Sequence, residues 1–129
     1  MAKKRKRSRK SAKKWDTRFW KLASFVARWS KDPRAKIGAV ITAQGGGPIA
    51  VGYNGFPSGV EDSAERLTNQ RIKLDMVVHA EQNALVIAAQ NARGGTIYVR
   101  GKPICSRCAG LIIQAGIARC CGDGSREIR

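Results

Sequence analysis

The sequence has no long hydrophobic run, a single histidine and few acidic residues. No apolar stretch in its 129 residues approaches the roughly 20 that a helix needs to span a bilayer, so we expect no membrane contact. The basic residues 1–14 are not followed by the apolar stretch that a secretory signal requires, which favours a cytoplasmic location. Only 9 acidic residues oppose 25 lysines and arginines, giving a net charge of +16.

Much of this positive charge lies at the start of the chain. Nine lysines and arginines precede Trp15. Such a run repels itself and buries nothing, so we predict a disordered basic tail over residues 1–14. One interpretation is a solvated tail without a specific partner. The other is non-specific contact with nucleic acid through counterion release. The rest of the chain keeps an excess of cations, which suits a phosphorylated ligand.

Apolar spacing after the tail predicts an α/β domain over residues 15–121, followed by a C-terminal tail over 122–129. A hairpin is expected where two β-branched segments flank the Gln44–Pro48 turn, and a capped, weakly helical segment is expected from Asp62 or Ser63. The predicted helices are Trp15–Ser30, a weak one within 61–75, His79–Asn91 and Ser106–Ala115. The predicted strands are Ile37–Thr42, Ile49–Tyr53, Thr96–Val99 and Ile117–Cys121. Alternation of strands and helices indicates a partly parallel sheet.

Three side chains are spaced as metal ligands. His79 begins one predicted helix, and Cys105 and Cys108 lie three residues apart at the start of another. This spacing places both sulfurs on one helix face, and a helix N-terminus favours the thiolate form that binds zinc. Three protein ligands leave a fourth position for water, as a catalytic zinc requires. A redox or purely structural role for the C-x-x-C pair is the alternative.

Glu81 is the candidate catalytic residue. It lies two residues beyond His79, where a helix turns its carboxylate away from the ligand direction and towards a bound water. A carboxylate in that place can take a proton from the water and return protons to a ring nitrogen and a departing amine. His-x-Glu followed by Cys-x-x-Cys is the pattern of zinc-dependent deaminases.

Beyond these motifs, the sequence resembles the deoxycytidylate (dCMP) deaminase family of the cytidine deaminase superfamily. The matching stretches are SKDP at 30–33, KIGAV at 36–40, GYNGFPSG at 52–59, HAEQNA at 79–84 and CSRCAGLIIQAGI at 105–117. The resemblance implies a three-layer α-β-α sandwich around a mixed sheet of four to five strands, with a C-terminus shorter than usual. It implies zinc-dependent hydrolysis of dCMP to dUMP with one catalytic Zn²⁺, in a homo-oligomer that is a hexamer or a dimer.

The resemblance also assigns substrate and effector residues. Asn54 matches the asparagine that contacts the sugar, and Ala80 is assigned to substrate binding beside the ligand histidine. The substrate phosphate is expected near Ser30, Lys31, Arg34 and Lys36. A regulatory nucleoside triphosphate with Mg²⁺ is expected at the loop that contains Gly55, Phe56, Pro57 and Gly59.

Two other functions fit the same motifs. Deaminases that act on a base in transfer RNA or single-stranded nucleic acid share the histidine, glutamate and cysteines, and a basic tail suits a polyanion. A zinc-stabilised binding domain without activity is the third interpretation. The SKDP and GYNGFPSG stretches favour a mononucleotide substrate.

Overall fold

A four-stranded mixed sheet forms the centre of the molecule. The computed structural model describes residues 9–123. The strands are β1 (Gly38–Thr42), β2 (Pro48–Tyr53), β3 (Thr96–Arg100) and β4 (Arg119–Gly122), in the order β2-β1-β3-β4. β1 pairs antiparallel with both β2 and β3, whereas β3 and β4 are parallel. The predicted hairpin, the α/β class and the partly parallel sheet are confirmed.

Helices cover both faces of this sheet. They are α1 (Arg9–Ala27), α2 (Ala64–Thr68), α3 (Gln70–Met76), α4 (Ala80–Ala88) and α5 (Ser106–Gln114), and a 3₁₀ turn, Ala89–Ala92, continues α4. Ser63 caps α2, because its side chain accepts a hydrogen bond from the Arg66 amide at 3.2 Å. Within residues 9–123, the helices are too short or too polar to cross a membrane.

Each face of the sheet has its own core. On one face, Phe19 and Ala23 of α1 pack against Val40 and Tyr98. On the other face, the alanines of α4 and Ile112 of α5 pack against the opposite sides of β1 and β3. The alternation of side chains along each strand sends successive residues into different cores. The molecule is therefore a three-layer α-β-α sandwich, as the resemblance implied.

The main correction concerns the N-terminal helix. We predicted a disordered tail up to residue 14, but α1 already begins at Arg9. Lysine and alanine are good helix formers, and Asp16 anchors this end of the helix through Arg119 of β4 and the Tyr98 hydroxyl. The first eight residues of the predicted tail, and residues 124–129 of the C-terminal tail, lie outside the described residues.

Gly52 brings α4 unusually close to the sheet. A Cβ atom on Gly52 would lie 2.5 Å from the Ala80 carbonyl oxygen and 2.6 Å from the Ala84 amide nitrogen. Both atoms belong to the backbone of α4, so neither moves without shifting the helix. Only glycine at this point of β2 permits the first turn of α4 to lie directly on the strand.

We predict that Gly52→Ala destabilises the fold by about 1–3 kcal/mol, the usual cost of forcing extra volume into a packed contact. The free energy of unfolding from urea titration measures the effect. Gly47→Ala is the matched control, because nothing lies within 4 Å of a Cβ at Gly47. Equal stability of the two variants would contradict the close approach of α4 to β2.

Candidate metal centre and active site

The three predicted metal ligands come together at the N-termini of two helices. His79 is the N-cap residue of α4, and Cys105 is the N-cap residue of α5. The His79 amide donates to Gln82 Oε1 at 2.8 Å, and the Cys108 amide donates to Cys105 Sγ at 3.4 Å. Gln82 was not singled out in the sequence, although its place three residues after a helix cap is a recognisable signal.

The geometry of these three side chains fits zinc. The nitrogen and sulfur donors of His79, Cys105 and Cys108 all lie within 4.8 Å of one another. His79 Nδ1 is 3.2 Å from Cys108 Sγ and 3.6 Å from Cys105 Sγ. A tetrahedral zinc with bonds of about 2.3 Å to sulfur and about 2.0 Å to nitrogen holds such donors about 3.5 Å apart. One imidazole and two thiols are also a donor set that zinc prefers.

Glu81 lies beside this cluster with an unused oxygen. Its side chain is only 4% exposed, and its Oε1 atom has no hydrogen-bond partner among residues 9–123. Buried carboxylate oxygens are normally paired, so an orphaned one indicates a missing ligand. Burial raises the pKa of Cys108, and the nearby Glu81 carboxylate raises it further. A cation between these groups would stabilise both the carboxylate and the thiolate.

A third cysteine is affected by the charge of Glu81. Cys120 of β4 is half-buried, and burial, followed by the charge of Glu81, raises the pKa of its thiol. Cys120 packs against the core on this face of the sheet and does not belong to the cluster of three donors. This agrees with the apolar strand in which the sequence places it.

The predicted substrate residues Ser30 and Asn54 belong to one buried network. Ser30 Oγ donates to the Asn54 carbonyl oxygen at 2.8 Å and accepts from the Asp32 amide at 3.2 Å. Asn54 Oδ1 accepts from the Ile37 amide at 2.8 Å, and its Nδ2 atom donates to the Ala35 carbonyl at 2.9 Å. These bonds fix the loop between α1 and β1 against the end of β2.

An ion pair that the sequence analysis missed holds the same loop. Lys73 Nζ of α3 lies 3.3 Å from Asp32, and both side chains are less than a tenth exposed. Asp32 Oδ1 also accepts from the amides of Arg34 and Ala35, at 2.8 and 3.1 Å. Burial alone raises the pKa of Asp32, but these amides and Lys73 outweigh it, so the pKa lies below its ordinary value. Asp before Pro33 signals a turn, whereas nothing in sequence identifies its partner.

The three predicted phosphate-binding cations are distributed around this loop rather than gathered at one point. Lys31 is exposed, and its Nζ lies 3.1 Å from Asp62 Oδ2. Arg34 donates to Gln70 Oε1 at 3.2 Å. Lys36 donates to the Ser30 carbonyl oxygen. Ala80, the remaining predicted substrate residue, is fully buried at the start of α4.

The predicted effector loop lines a cavity next to this network. Gly55, Phe56, Pro57 and Gly59 share the walls of a cavity of about 200 Å³ with Lys31 and Asn54. Gly55 and Val78 exchange backbone hydrogen bonds of 2.7 and 3.1 Å. This bridge fixes the loop relative to Val78, the residue that precedes His79. The wall of the cavity and the metal centre are therefore connected through the same backbone hydrogen bonds.

Comparison with known proteins assigns this arrangement to a class. Residues 13–122 match the profile of the cytidine and deoxycytidylate deaminase zinc-binding region. The chain is 45% identical over 107 residues to an uncharacterized deaminase of Aliivibrio fischeri, covering 82% of this chain and 70% of that protein. It is 37% identical over 109 residues to human deoxycytidylate deaminase, covering 80% of this chain but 61% of the human enzyme.

A solved structure is similar over nearly the whole domain. The dCMP deaminase of the cyanophage S-TIM5, in complex with dCMP and dUMP, superposes with a TM-score of 0.70 at 29% identity. The match covers 84% of this chain and 80% of that one. The chain therefore belongs to the cytidine and deoxycytidylate deaminase family of zinc-binding proteins. The resemblance seen in the sequence is confirmed.

We predict that the purified protein binds one zinc ion per chain and that Cys108→Ser abolishes this binding, because it removes a fully buried sulfur ligand. Metal content by inductively coupled plasma mass spectrometry measures the stoichiometry. Cys120→Ser is the matched control and should retain the metal, since Cys120 lies outside the donor cluster. Loss of zinc from the control alone would show that the ligands are misassigned.

We predict that Lys73→Met lowers the free energy of unfolding by about 3 kcal/mol at neutral pH, because it leaves the buried Asp32 charge uncompensated. Since the folded pKa of Asp32 is depressed, its stabilisation is present above its unfolded pKa of about 3.9 and lost as pH falls through the folded pKa. The variant should therefore lose less stability on acidification than the parent.

Two further variants control this experiment. Lys31→Met breaks an ion pair whose lysine is 70% exposed, so we expect a change within about 1 kcal/mol. Adding Asp32→Asn to Lys73→Met should recover part of the loss. If Lys31→Met and Lys73→Met are equally destabilising, the buried pair does not hold the loop.

Proposed function

We propose that the protein hydrolyses the exocyclic amino group of deoxycytidine monophosphate, giving deoxyuridine monophosphate and ammonia. The observation that carries the proposal is the buried, unpaired Oε1 atom of Glu81 beside the His79, Cys105 and Cys108 donors. The names of the human relative and of the cyanophage structure support dCMP as the substrate.

The three ligands and Glu81 have separate roles in this reaction. Zinc, when bound to His79, Cys105 and Cys108, supplies a water molecule acidified towards a pKa of about 7. The Glu81 carboxylate accepts a proton from this water and passes protons to the ring nitrogen and then to the amino group. Oxygen thereby replaces nitrogen at the ring carbon, and ammonia leaves. Burial of Glu81 keeps its proton out of exchange with bulk water during the reaction.

The substrate contacts follow from the loop network. We propose that Asn54, whose amide keeps a second hydrogen free, contacts the sugar, and that Ala80 contributes its backbone beside the base. Lys31 is the exposed cation at the cavity and is proposed to bind the phosphate, with Arg34 nearby. Ser30 and Lys36 hydrogen-bond to the protein itself, and their contribution is to hold this loop in place.

A second candidate function is deamination of a base in transfer RNA or single-stranded nucleic acid. The observation that favours it is the row of exposed cations along α1. A zinc-stabilised binding domain without activity is the third candidate. A buried carboxylate oxygen without a partner is costly, which disfavours a domain in which no ligand meets Glu81.

We predict that Glu81→Gln abolishes deamination of dCMP, by a factor of at least about 100, while zinc content stays at one ion per chain. An amide cannot accept the proton, but it fills the same volume. Ammonia release is measured for dCMP, dCTP, deoxycytidine, cytidine and a transfer-RNA stem-loop. We expect dCMP to be turned over best. Turnover of the stem-loop alone would establish the second candidate, and no turnover of any substrate by the zinc-loaded parent would establish the third.

A homo-oligomer, either a hexamer or a dimer, is also proposed. An apolar groove of about 450 Å³ lies between α4 and α5. Val86 and Leu111 in its walls are 78% and 47% exposed. Burial of this surface against a second copy of the chain would remove the apolar area from water.

A regulatory ligand and a cytoplasmic location are also proposed. A nucleoside triphosphate with Mg²⁺ is proposed to bind at the loop of Gly55, Phe56, Pro57 and Gly59. Asp62 in the same cavity wall carries a carboxylate of the kind that Mg²⁺ prefers, and binding the ion would replace its ion pair with Lys31. Because two of the three zinc ligands are thiols, which stay reduced in the cytosol, we propose a cytoplasmic location.

A further inference from the structure

The outer face of α1 is a row of cations. Six lysines and arginines on this helix and the turn after it are exposed, namely Lys10, Lys13, Lys14, Arg18, Lys21 and Arg28. Lys14 and Lys21 are seven residues apart and therefore lie on one line along the helix, and Arg28 follows in the turn after it. The single acidic residue of α1, Asp16, faces inwards and pairs with Arg119.

Folding does not account for this row. Lys14, Lys21 and Arg28 form no ion pair with any residue in the described part of the chain. Lys10, Lys14 and Arg18 follow one another at four-residue spacing, and like charges at this spacing destabilise a helix. The row therefore costs stability in the isolated chain and would be stabilised by an anionic ligand.

Three exposed aromatic rings continue the row at the end of α1. Phe25, Trp29 and Tyr53 are 52%, 48% and 41% exposed. Phe25 and Trp29 meet edge to face with ring centroids 5.7 Å apart, and Trp29 and Tyr53 do so at 6.1 Å. The Arg28 guanidinium lies 5.8 Å from the centre of the Phe25 ring, so the cations and the rings form one continuous surface.

We propose that this surface binds single-stranded nucleic acid. We call it the α1 track and define it by Lys10, Lys14, Lys21, Arg28, Phe25 and Trp29. The cations extend along a helix of 19 residues, about 28 Å long, so they can contact several phosphates of one strand, and the exposed rings offer faces on which unpaired bases stack. A duplex hides its base faces, so it uses the cations but not the rings.

The first test measures the electrostatic part in the full-length, zinc-loaded protein. Fluorescence anisotropy follows binding of a labelled oligothymidylate of about 15 nucleotides between about 50 and 200 mM salt. Neutralising Lys14, Lys21 and Arg28 together to glutamine should weaken binding at least about tenfold and reduce the slope of log K against log salt by about 2. The matched control neutralises three exposed cations elsewhere, Arg71, Arg93 and Lys102, to glutamine.

The control variant tests whether binding depends on the α1 track or on the net charge of the protein. It changes the net charge by the same three units, so we expect a loss of less than about threefold and a smaller change of slope. Equal loss in both triple variants would mean that binding follows net charge alone and would overturn the proposal. Absence of oligothymidylate binding by the parent protein would overturn it as well.

The second test addresses the rings. Replacing Phe25 and Trp29 together by alanine should weaken binding of the single strand about tenfold and leave binding of a duplex of equal length unchanged. The control replaces two exposed apolar residues of the groove between α4 and α5, Val86 and Leu111, by alanine. Circular dichroism confirms that each variant is folded.

The remaining outcomes separate the α1 track from other partners and from the proposed reaction. If polyglutamate competes as well as the oligothymidylate, and the ring variant binds both normally, the surface suits an acidic protein and the proposal is wrong. Turnover of dCMP should be the same in the parent and both triple variants, because none of the altered residues is placed in the metal centre or substrate loop. Failure of binding therefore says nothing against the deaminase activity, and the reverse also holds.

Discussion

The contact between Gly52 and the first turn of α4 is the constraint from which the metal centre follows. Because Gly52 has no side chain, the backbone of β2 sets the distance of Ala80 from the sheet. His79 and Glu81 precede and follow Ala80 in the sequence, so their positions are set as well. The N-terminus of α5 then places Cys105 and Cys108 next to His79. The donor atoms belong to N-cap and first-turn positions, where capping hydrogen bonds fix the local backbone.

The substrate side of the molecule depends on a different kind of interaction. The loop between α1 and β1 has no regular secondary structure, yet its polar groups are buried and paired through Ser30, Asp32 and Asn54. Lys73 adds a buried charge from α3, an element distant in sequence. Buried ion pairs contribute little net stability but penalise every arrangement in which one partner is missing. The loop is therefore held in a single conformation rather than merely stabilised.

Local signals predicted the elements well. Apolar spacing predicted the longer helices and the strands, and it restricted the cap of α2 to Asp62 or Ser63, of which the structure has Ser63. Such signals lie within a few residues of one another. The start of α1 was wrong because charge density was read as disorder, whereas Asp16 is anchored by Arg119, which is more than 100 residues away along the chain. Long-range anchors of this kind leave no mark in the local sequence.

The same division applies to the site. His79, Glu81 and the cysteine pair were predicted because zinc chemistry restricts both residue type and spacing. Lys73 was missed, since a lysine in a short helix looks ordinary until the tertiary fold places it beside Asp32. Chemistry that requires a motif is visible in sequence, and chemistry that requires only proximity is not.

Tyr53 belongs to two surfaces at once, since its ring contacts Trp29 on the outside and the residue is part of the wall of the cavity next to Lys31. A ligand that reorients the Tyr53 ring at one surface would also change the shape of the other surface. Thermodynamic linkage makes such an effect reciprocal: whatever factor one occupant applies to the affinity of the second, the second applies to the first.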